Sequence, residues 1–263
     1  MDKFERLKKE LKKQGKVAVA FSGGTDSAFL LDTAKKTLGK ENVLALTVIS
    51  DFLPKRDLKD IENYLSETGI NYTYIYMDYG KVPGIRENGK DRCYFCKKEM
   101  FRKMKEEAVR HGIEYLADGT NADDLEEYRP GLRAKKEEGI GSPLSEAGLS
   151  KKEIRALAGE NRVPYAEKPS SSCLATRIPL NREIEREALS RIDKAEEGIK
   201  DLGFEVVRVR DYDEKAEIEL GEKDLSKYKE NNTDFSPVMK EAGYTEYNVN
   251  RVPYKKKKGG RKQ

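Results

Sequence analysis

Short apolar runs alternate with amphipathic stretches over the first half of the chain. Val17 to Phe21 (VAVAF) is apolar without polar alternation, the pattern of a strand buried on both faces. From Asp26 to Leu38 (DSAFLLDTAKKTL) apolar residues return at helical spacing until Gly39 stops them. Val43 to Ile49 (VLALTVI) reads as a second buried strand, and Leu58 to Glu67 as a helix ended at Gly69. Asn71 to Met77 (NYTYIYM) is β-branched and aromatic, as a third strand would be. Cys96 to Arg110 reads as a helix with Met100, Phe101, Met104 and Ala108 inward and His111-Gly112 as its C-terminal cap. Ile113 to Ala117 reads as a fourth strand. Strand–helix–strand repetition at this spacing predicts an α/β fold built on a doubly wound parallel sheet.

The pattern then changes. Asp118 to Gly141 is polar with little periodicity, and a loop that long in a compact domain is usually functional. Lys151 to Glu160 reads as a short helix, and Glu183 to Leu202 as a strongly amphipathic one capped by Gly203. Phe204 to Val209 and Ala216 to Leu220 read as a hairpin. A helix near Phe235 to Ala242 and a strand near Tyr247 to Val249 follow. The expectation is a first domain over 1–178, a smaller α+β domain over 179–254, and a basic, disordered tail over 255–263.

Composition narrows the chemistry. No apolar run reaches the roughly 18 residues of a membrane-spanning helix. The N-terminal MDKFERLKKELKKQGK also lacks the apolar core of a signal peptide. A soluble, cytoplasmic protein is expected. The net charge of +4 belongs to the tail, which holds six basic residues and no acidic ones; the rest of the chain is at −2. Such a tail could touch RNA, or could be a solubilising end. The single histidine, His111, excludes a zincin motif, a three-His zinc and a pair of His iron ligands, and reads as structural. Three cysteines cannot complete a set of internal disulfides and suit a reducing compartment, where thiols serve metals or catalysis.

The strongest local signal is Phe21-Ser22-Gly23-Gly24-Thr25-Asp26-Ser27, set between a buried strand and a helix. Gly23 and Gly24 let backbone approach oxygen atoms closely. The helix start offers N–H groups and partial positive charge to an anion, and Ser22 and Ser27 add hydroxyls. Asp26 beside a phosphate makes sense when a Mg²⁺ ion sits between them. The lysine of a Walker A loop is absent. Cys93-Tyr94-Phe95-Cys96 precedes a helix, and Cys173 lies about eighty residues on. A C-x-x-C pair can be a redox dithiol, half a zinc site or two ligands of an iron–sulfur cluster, and the three thiols can also be unrelated buried residues. Three thiolates on a cubane cluster leave one iron open to sulfide.

The Ser22–Ser27 string resembles the PP-loop of ATP pyrophosphatases, which cleave ATP to AMP and pyrophosphate and adenylate an acceptor oxygen. Further matching stretches are Asp118-Gly119-Thr120-Asn121, Tyr128 to Ala134 (YRPGLRA), Ser142-Pro143-Leu144, Cys173 to Pro179 (CLATRIP) and Phe204 to Arg210 (FEVVRVR). With these, nearly the whole chain resembles the LarE family, ATP-dependent sulfurtransferases of nickel-pincer cofactor maturation. The resemblance implies ATP and Mg²⁺ as cofactors, with Ser22, Gly23, Gly24, Asp26, Ser27 and Gly119 around the nucleotide and Asp26 on the metal; Ser50, just past the second strand, sits where doubly wound sheets bind ligands and is expected near the adenosine. It implies pyridinium-3,5-biscarboxylic acid mononucleotide as substrate, gripped by Arg129, Glu196, Arg208 and Arg210, the two last sharing one strand face. Cys173, Asp26 and Arg177 would be catalytic. One branch of the family spends the cysteine matching Cys173 as a sulfur donor. Cys93 and Cys96 set this chain with the branch said to carry a 4Fe-4S cluster on three cysteines, fed by a sulfide donor. A homo-oligomer is implied as well, the smaller domain serving substrate or assembly. The alternative is an iron–sulfur tRNA thiolase, which the basic tail would suit and the net-negative body would not. Arg129 and Arg133 could bind phosphate or cap their loop. Glu217 and Glu219 could instead occupy Arg208 and Arg210.

Overall fold

A computed structural model describes residues 2–126, 130–164, 166, 168–169 and 171–254. The first half runs α1 (Lys3–Gln14), β1 (Val17–Ala20), α2 (Thr25–Leu38), β2 (Val43–Ile49), α3 (Lys55–Thr68), β3 (Asn71–Tyr76), α4 (Arg92–Arg110) and β4 (Leu116–Asp118). The four strands form one parallel sheet in the order β3-β2-β1-β4. Alternate residues of β1 and β2 feed opposite cores. Val17, Val19, Val43 and Ala45 pack with α1, α2 and α3. Ala18, Leu44 and Leu46 pack with Phe101, Met104 and Ala108 of α4 on the other face. A sheet covered on both faces by helices is the doubly wound architecture, and explains strands without polar alternation.

Several bounds differ from the sequence expectation. The charged N-terminus forms α1, which docks through buried Leu7 and Leu11 with Phe4 packed beside them on Phe29. Helix α4 starts at Arg92, not Cys96, so Cys93 and Cys96 sit in its opening turns rather than before it. Its first turns are mostly solvent-facing, so the apolar period begins only later. Ile113 is not in the fourth strand. Its N–H donates back to Ala108 O at 3.0 Å, closing α4. The polar stretch after β4 is not one loop: it holds a 3-10 turn at Ala122–Glu126 and helix α5 (Pro130–Glu137), which buries Ala134 and Lys135.

The chain continues with α6 (Pro143–Glu146), α7 (Lys151–Glu160), α8 (Arg186–Asp201), β5 (Val207–Tyr212), β6 (Lys215–Leu220), α9 (Glu222–Asn231), α10 (Ser236–Ala242) and β7 (Glu246–Val249). β5 and β6 form the expected antiparallel hairpin, and β7 adds to β6 in parallel. Helix α8 serves two cores. Leu189 and Ile192 pack with Phe52, Ile85 and Leu174, whereas Ala195 and Ile199 pack with Phe204, Val207 and Phe235 under the small sheet. The carboxyl ends of β1, β2 and β4 lie side by side, Ala20 in register with Leu46 and Asp118, and deliver the segments that follow to one edge.

Candidate functional site

The segment after β1 is shaped by two glycines held for different reasons. Gly23 has φ +70°, and a Cβ there would stand 2.6 Å from Ile61 Cγ1 of α3. Gly119, just past β4, would place a Cβ 2.9 Å from Ser27 N, so the 118–121 turn presses on the start of α2. Gly24 differs: its φ of −87° suits any residue, and a Cβ would meet only Ser22 Oγ, at 3.6 Å. The space beside it at the uncapped start of α2 is a cradle a side chain would fill, and its N–H groups suit phosphate. Ser27 Oγ donates to Gly24 O (3.0 Å) and stands 3.2 Å from Ser22 Oγ, which fixes the turn.

Asp26 faces this cradle with one oxygen used and one idle. Asn121 Nδ2 donates to Oδ2 at 3.0 Å, while Oδ1 is buried with no hydrogen-bond partner. Burial pushes the Asp26 carboxyl above its ordinary value, opposed by the charges of Lys151 and Arg155 and by Asn121. A buried carboxylate oxygen beside an anion cradle fits a divalent cation bridging carboxylate to phosphate. Asp118 plays a different part. It accepts from Thr120 N (3.1 Å), Thr120 Oγ1 (2.7 Å) and Ser142 Oγ (2.7 Å), holding the turn that carries Gly119 and Asn121.

The segments that carry Cys93 and Cys96 and that carry Cys173 are joined by side-chain to backbone bonds. Arg92 ties the two segments: its Nη1 donates to Ala175 O (2.8 Å) and to Asn88, and its Nη2 lies 3.7 Å from Cys93 Sγ. Asn88 Nδ2 donates on to Pro179 O at 2.7 Å. Burial pushes the Cys96 thiol up to about 11, and the sulfurs of Cys173 and Cys93 act on it in the same sense. Burial pushes the Tyr79 hydroxyl up, with Cys96 acting in the same sense and Ser50 against it, and the Tyr79 ring stacks on Phe52 at 4.5 Å. Leu174 N donates to Phe52 O at 2.9 Å. The loop after β2 thus touches both the sulfur residues and the nucleotide edge. Among the described residues no group of three His, Cys, Asp or Glu side chains is placed to hold a single ion. A cubane cluster asks for something else, since each cysteine meets a different iron. Three thiols whose charges act on one another, with Arg92 Nη2 beside Cys93 Sγ, are the donor set such a cluster would use.

Arg177 is enclosed. Its Nε and Nη2 meet Glu196 Oε1 and Oε2 at 2.8 Å each, and its Nη1 donates to Ser172 O (2.7 Å) and Cys173 O (3.0 Å). Glu196 also accepts from Val209 N at 3.0 Å. Despite burial, Arg177 and Arg208 hold the Glu196 carboxyl below its ordinary value. Arg208 and Arg210 share the face of β5 that looks toward the Cys173 turn, and Arg210 donates to Thr176 O at 2.6 Å and to Glu219 at 2.9 Å. Burial, with Arg177 nearby, pushes the Arg208 guanidinium down; burial does the same to Lys200. Three cations, Arg177, Arg208 and Lys200, therefore crowd one carboxylate, and sequence reasoning missed Lys200. Arg133 stacks on Tyr94 (3.8 Å) and lies near Glu137. Arg129 and the tail over 255–263 lie outside the described residues. His111 lies 3.2 Å from Glu107 at the surface.

Comparison with known proteins agrees with this arrangement. The NAD synthase family model matches residues 2–84. An uncharacterized Synechocystis protein is 35% identical over 226 residues, 86% of this chain and 84% of its own. The pyridinium-3,5-bisthiocarboxylic acid mononucleotide synthase of Lactiplantibacillus plantarum is 34% identical over 212 residues, 81% of this chain and 77% of its own. A tRNA-cytidine(32) 2-sulfurtransferase of Methylococcus capsulatus is 33% identical over 114 residues, 42% of this chain and 39% of its own. The 212-residue match is longer than the first 178 residues, so it reaches past the PP-loop sheet into the segment that carries α8 and the small sheet. The chain therefore belongs, as an enzyme, to the LarE-type sulfurtransferase family of the PP-loop ATP pyrophosphatases.

Proposed function

We propose that the enzyme uses ATP to adenylate a carboxylate of pyridinium-3,5-biscarboxylic acid mononucleotide and then replaces the adenylated oxygen with sulfur. A carboxylate oxygen attacks the α-phosphorus, and the bond to the β-bridging oxygen breaks to release pyrophosphate. Sulfide then adds to the acyl carbon, and AMP leaves with the electron pair of the C–O bond. The thiocarboxylate remains. AMP is a far better leaving group than oxide, which is why ATP is needed.

The observation that carries this reading is the loop after β2. Its Phe52 O accepts from Leu174 N beside Cys173, and its Phe52 ring stacks on Tyr79, at the edge where the PP-loop opens. Ser22, Gly23, Gly24 and Ser27 would take phosphate oxygens, Asp26 a Mg²⁺ ion, and Ser50 and Gly119 would flank the nucleotide. Arg208 and Arg210 would face the substrate phosphate, with Glu196 orienting them and Arg177 fixing the backbone of the Cys173 turn; Arg129 would join them. Cys93, Cys96 and Cys173 would hold a 4Fe-4S cluster, whose fourth iron supplies a place for sulfide without consuming Cys173. Residues 1–178 would form the ATP unit and 179–254 the substrate and assembly unit of a cytoplasmic homo-oligomer. No helix among the described residues is long and apolar enough to cross a membrane.

The deciding assay measures pyrophosphate release without oxygen. Release with the pyridinium dicarboxylate mononucleotide, and formation of its thiocarboxylate, is the expected result. Release dependent on tRNA alone would transfer the chain to the thiolase reading.

A further inference from the structure

We propose that Arg155 of α7, with Lys151 one helical turn before it, binds the pyrophosphate half of ATP at the PP-loop and holds it as it departs. The inference rests on the ATP-cleaving reading above. It starts from two polar groups left unsatisfied in the same region. Asp26 Oδ1 is buried with no hydrogen-bond partner, and so is Arg155 Nε. Arg155 forms no hydrogen bond or ion pair with any described residue. A buried guanidinium nitrogen and a buried carboxylate oxygen this close in the fold would ordinarily find polar partners. Here the charge of Arg155 acts on Asp26 without contact.

A magnesium–phosphate group satisfies both at once: the ion takes Asp26 Oδ1, and phosphate oxygens take the guanidinium fork. The need is also clear, because the PP-loop supplies backbone N–H groups and hydroxyls but no cation of its own.

The scaffold fixes the start of α7 beside Asp26. Asn121 bonds Asp26, and two residues later Asp123 Oδ2 accepts from Lys151 N at 2.9 Å, while Ala122 N donates to Leu149 O. One short segment thus fixes both the carboxylate and the start of α7. A capping box between Ser150 and Glu153 holds the first turn of α7. Residues 151 and 155 are spaced i, i+4 and project from one face.

The test is calorimetric titration of the full-length protein with Mg²⁺-pyrophosphate and, separately, with AMP. Wild type is expected to bind both. Arg155→Gln should weaken pyrophosphate at least about tenfold and leave AMP within about twofold, and Arg155→Lys should recover part of the loss. Unchanged pyrophosphate binding in Arg155→Gln overturns the inference. Parallel loss of AMP in both variants also overturns it, since Arg155 would then support the fold. Wild type that binds neither AMP nor pyrophosphate overturns the proposed function instead.

Discussion

Arg177 and Glu196 form a bidentate ion pair, 2.8 Å on both arms, with side chains 1% and 2% exposed. It joins the turn that presents Cys173 to helix α8, and its remaining donors hold the Ser172 and Cys173 carbonyls. Removing one partner leaves the other buried and charged. Arg177→Ala or Glu196→Ala is therefore expected to cost about 3–5 kcal/mol of stability. Denaturant unfolding monitored by circular dichroism checks it, and a loss below about 1 kcal/mol would show that the pair is not the clasp of this turn.

The two glycines nearest the helix start should respond differently to alanine. Gly119→Ala drives a methyl to 2.9 Å from Ser27 N and should lower both stability and ATP affinity. Gly24→Ala meets no protein atom closer than 3.6 Å, and its backbone is permissive. Its stability should fall by about 1 kcal/mol or less, the scale of a helix cap change, while ATP-dependent pyrophosphate release collapses. Equal activity in Gly24→Ala and wild type would mean that phosphate does not fill this cradle.

Much of this site was legible because its signals are local. The PP-loop is six contiguous residues between a strand and a helix, and Arg208 and Arg210 share a face by strand period alone. Partners far apart in sequence were not legible. Arg177 reads as a cation for the reaction until Glu196, nineteen residues on, closes over it. Arg155 and Lys151 sit in a helix with no motif, and only the fold carries them to Asp26. The opening turns of α4 are mostly polar and solvent-facing, and α1 sets Phe4, Leu7 and Leu11 among charged residues, so neither helix start carries a clear apolar period.

Lys3 and Glu153 clasp α1 to α7, Nζ lying 2.8 Å from Oε1 and 2.9 Å from Oε2. Lys3, then Ser150, lowers the Glu153 carboxyl from 4.5 to about 2. A depressed carboxylate contributes stability above its unfolded value, and that stability is lost as pH falls from about 4.5 through about 2. Glu153→Gln should lack this component, so the gap in thermal midpoint between it and wild type should shrink across that window. Since the pair is solvent-exposed, the gap should also shrink with added salt. A gap constant from pH 6 to pH 2 would remove the clasp from the account.

The three cysteines yield the sharpest test of the sulfur chemistry. Protein purified without oxygen should be brown, with iron and acid-labile sulfide, and Cys93→Ala, Cys96→Ala and Cys173→Ala should each lose most of both. Arg92→Ala keeps all three thiols but removes the donor to Ala175 O and the guanidinium beside Cys93 Sγ. It should fold, retain the nucleotide site and hold iron less well, because the 93–96 and 173–177 segments lose their tie. Mass spectrometry after many turnovers should find Cys173 intact. Colourless protein with about one zinc per chain would replace the cluster with a structural ion. Loss of the elements of H₂S from Cys173 would instead make that residue the sulfur donor, spent once per chain.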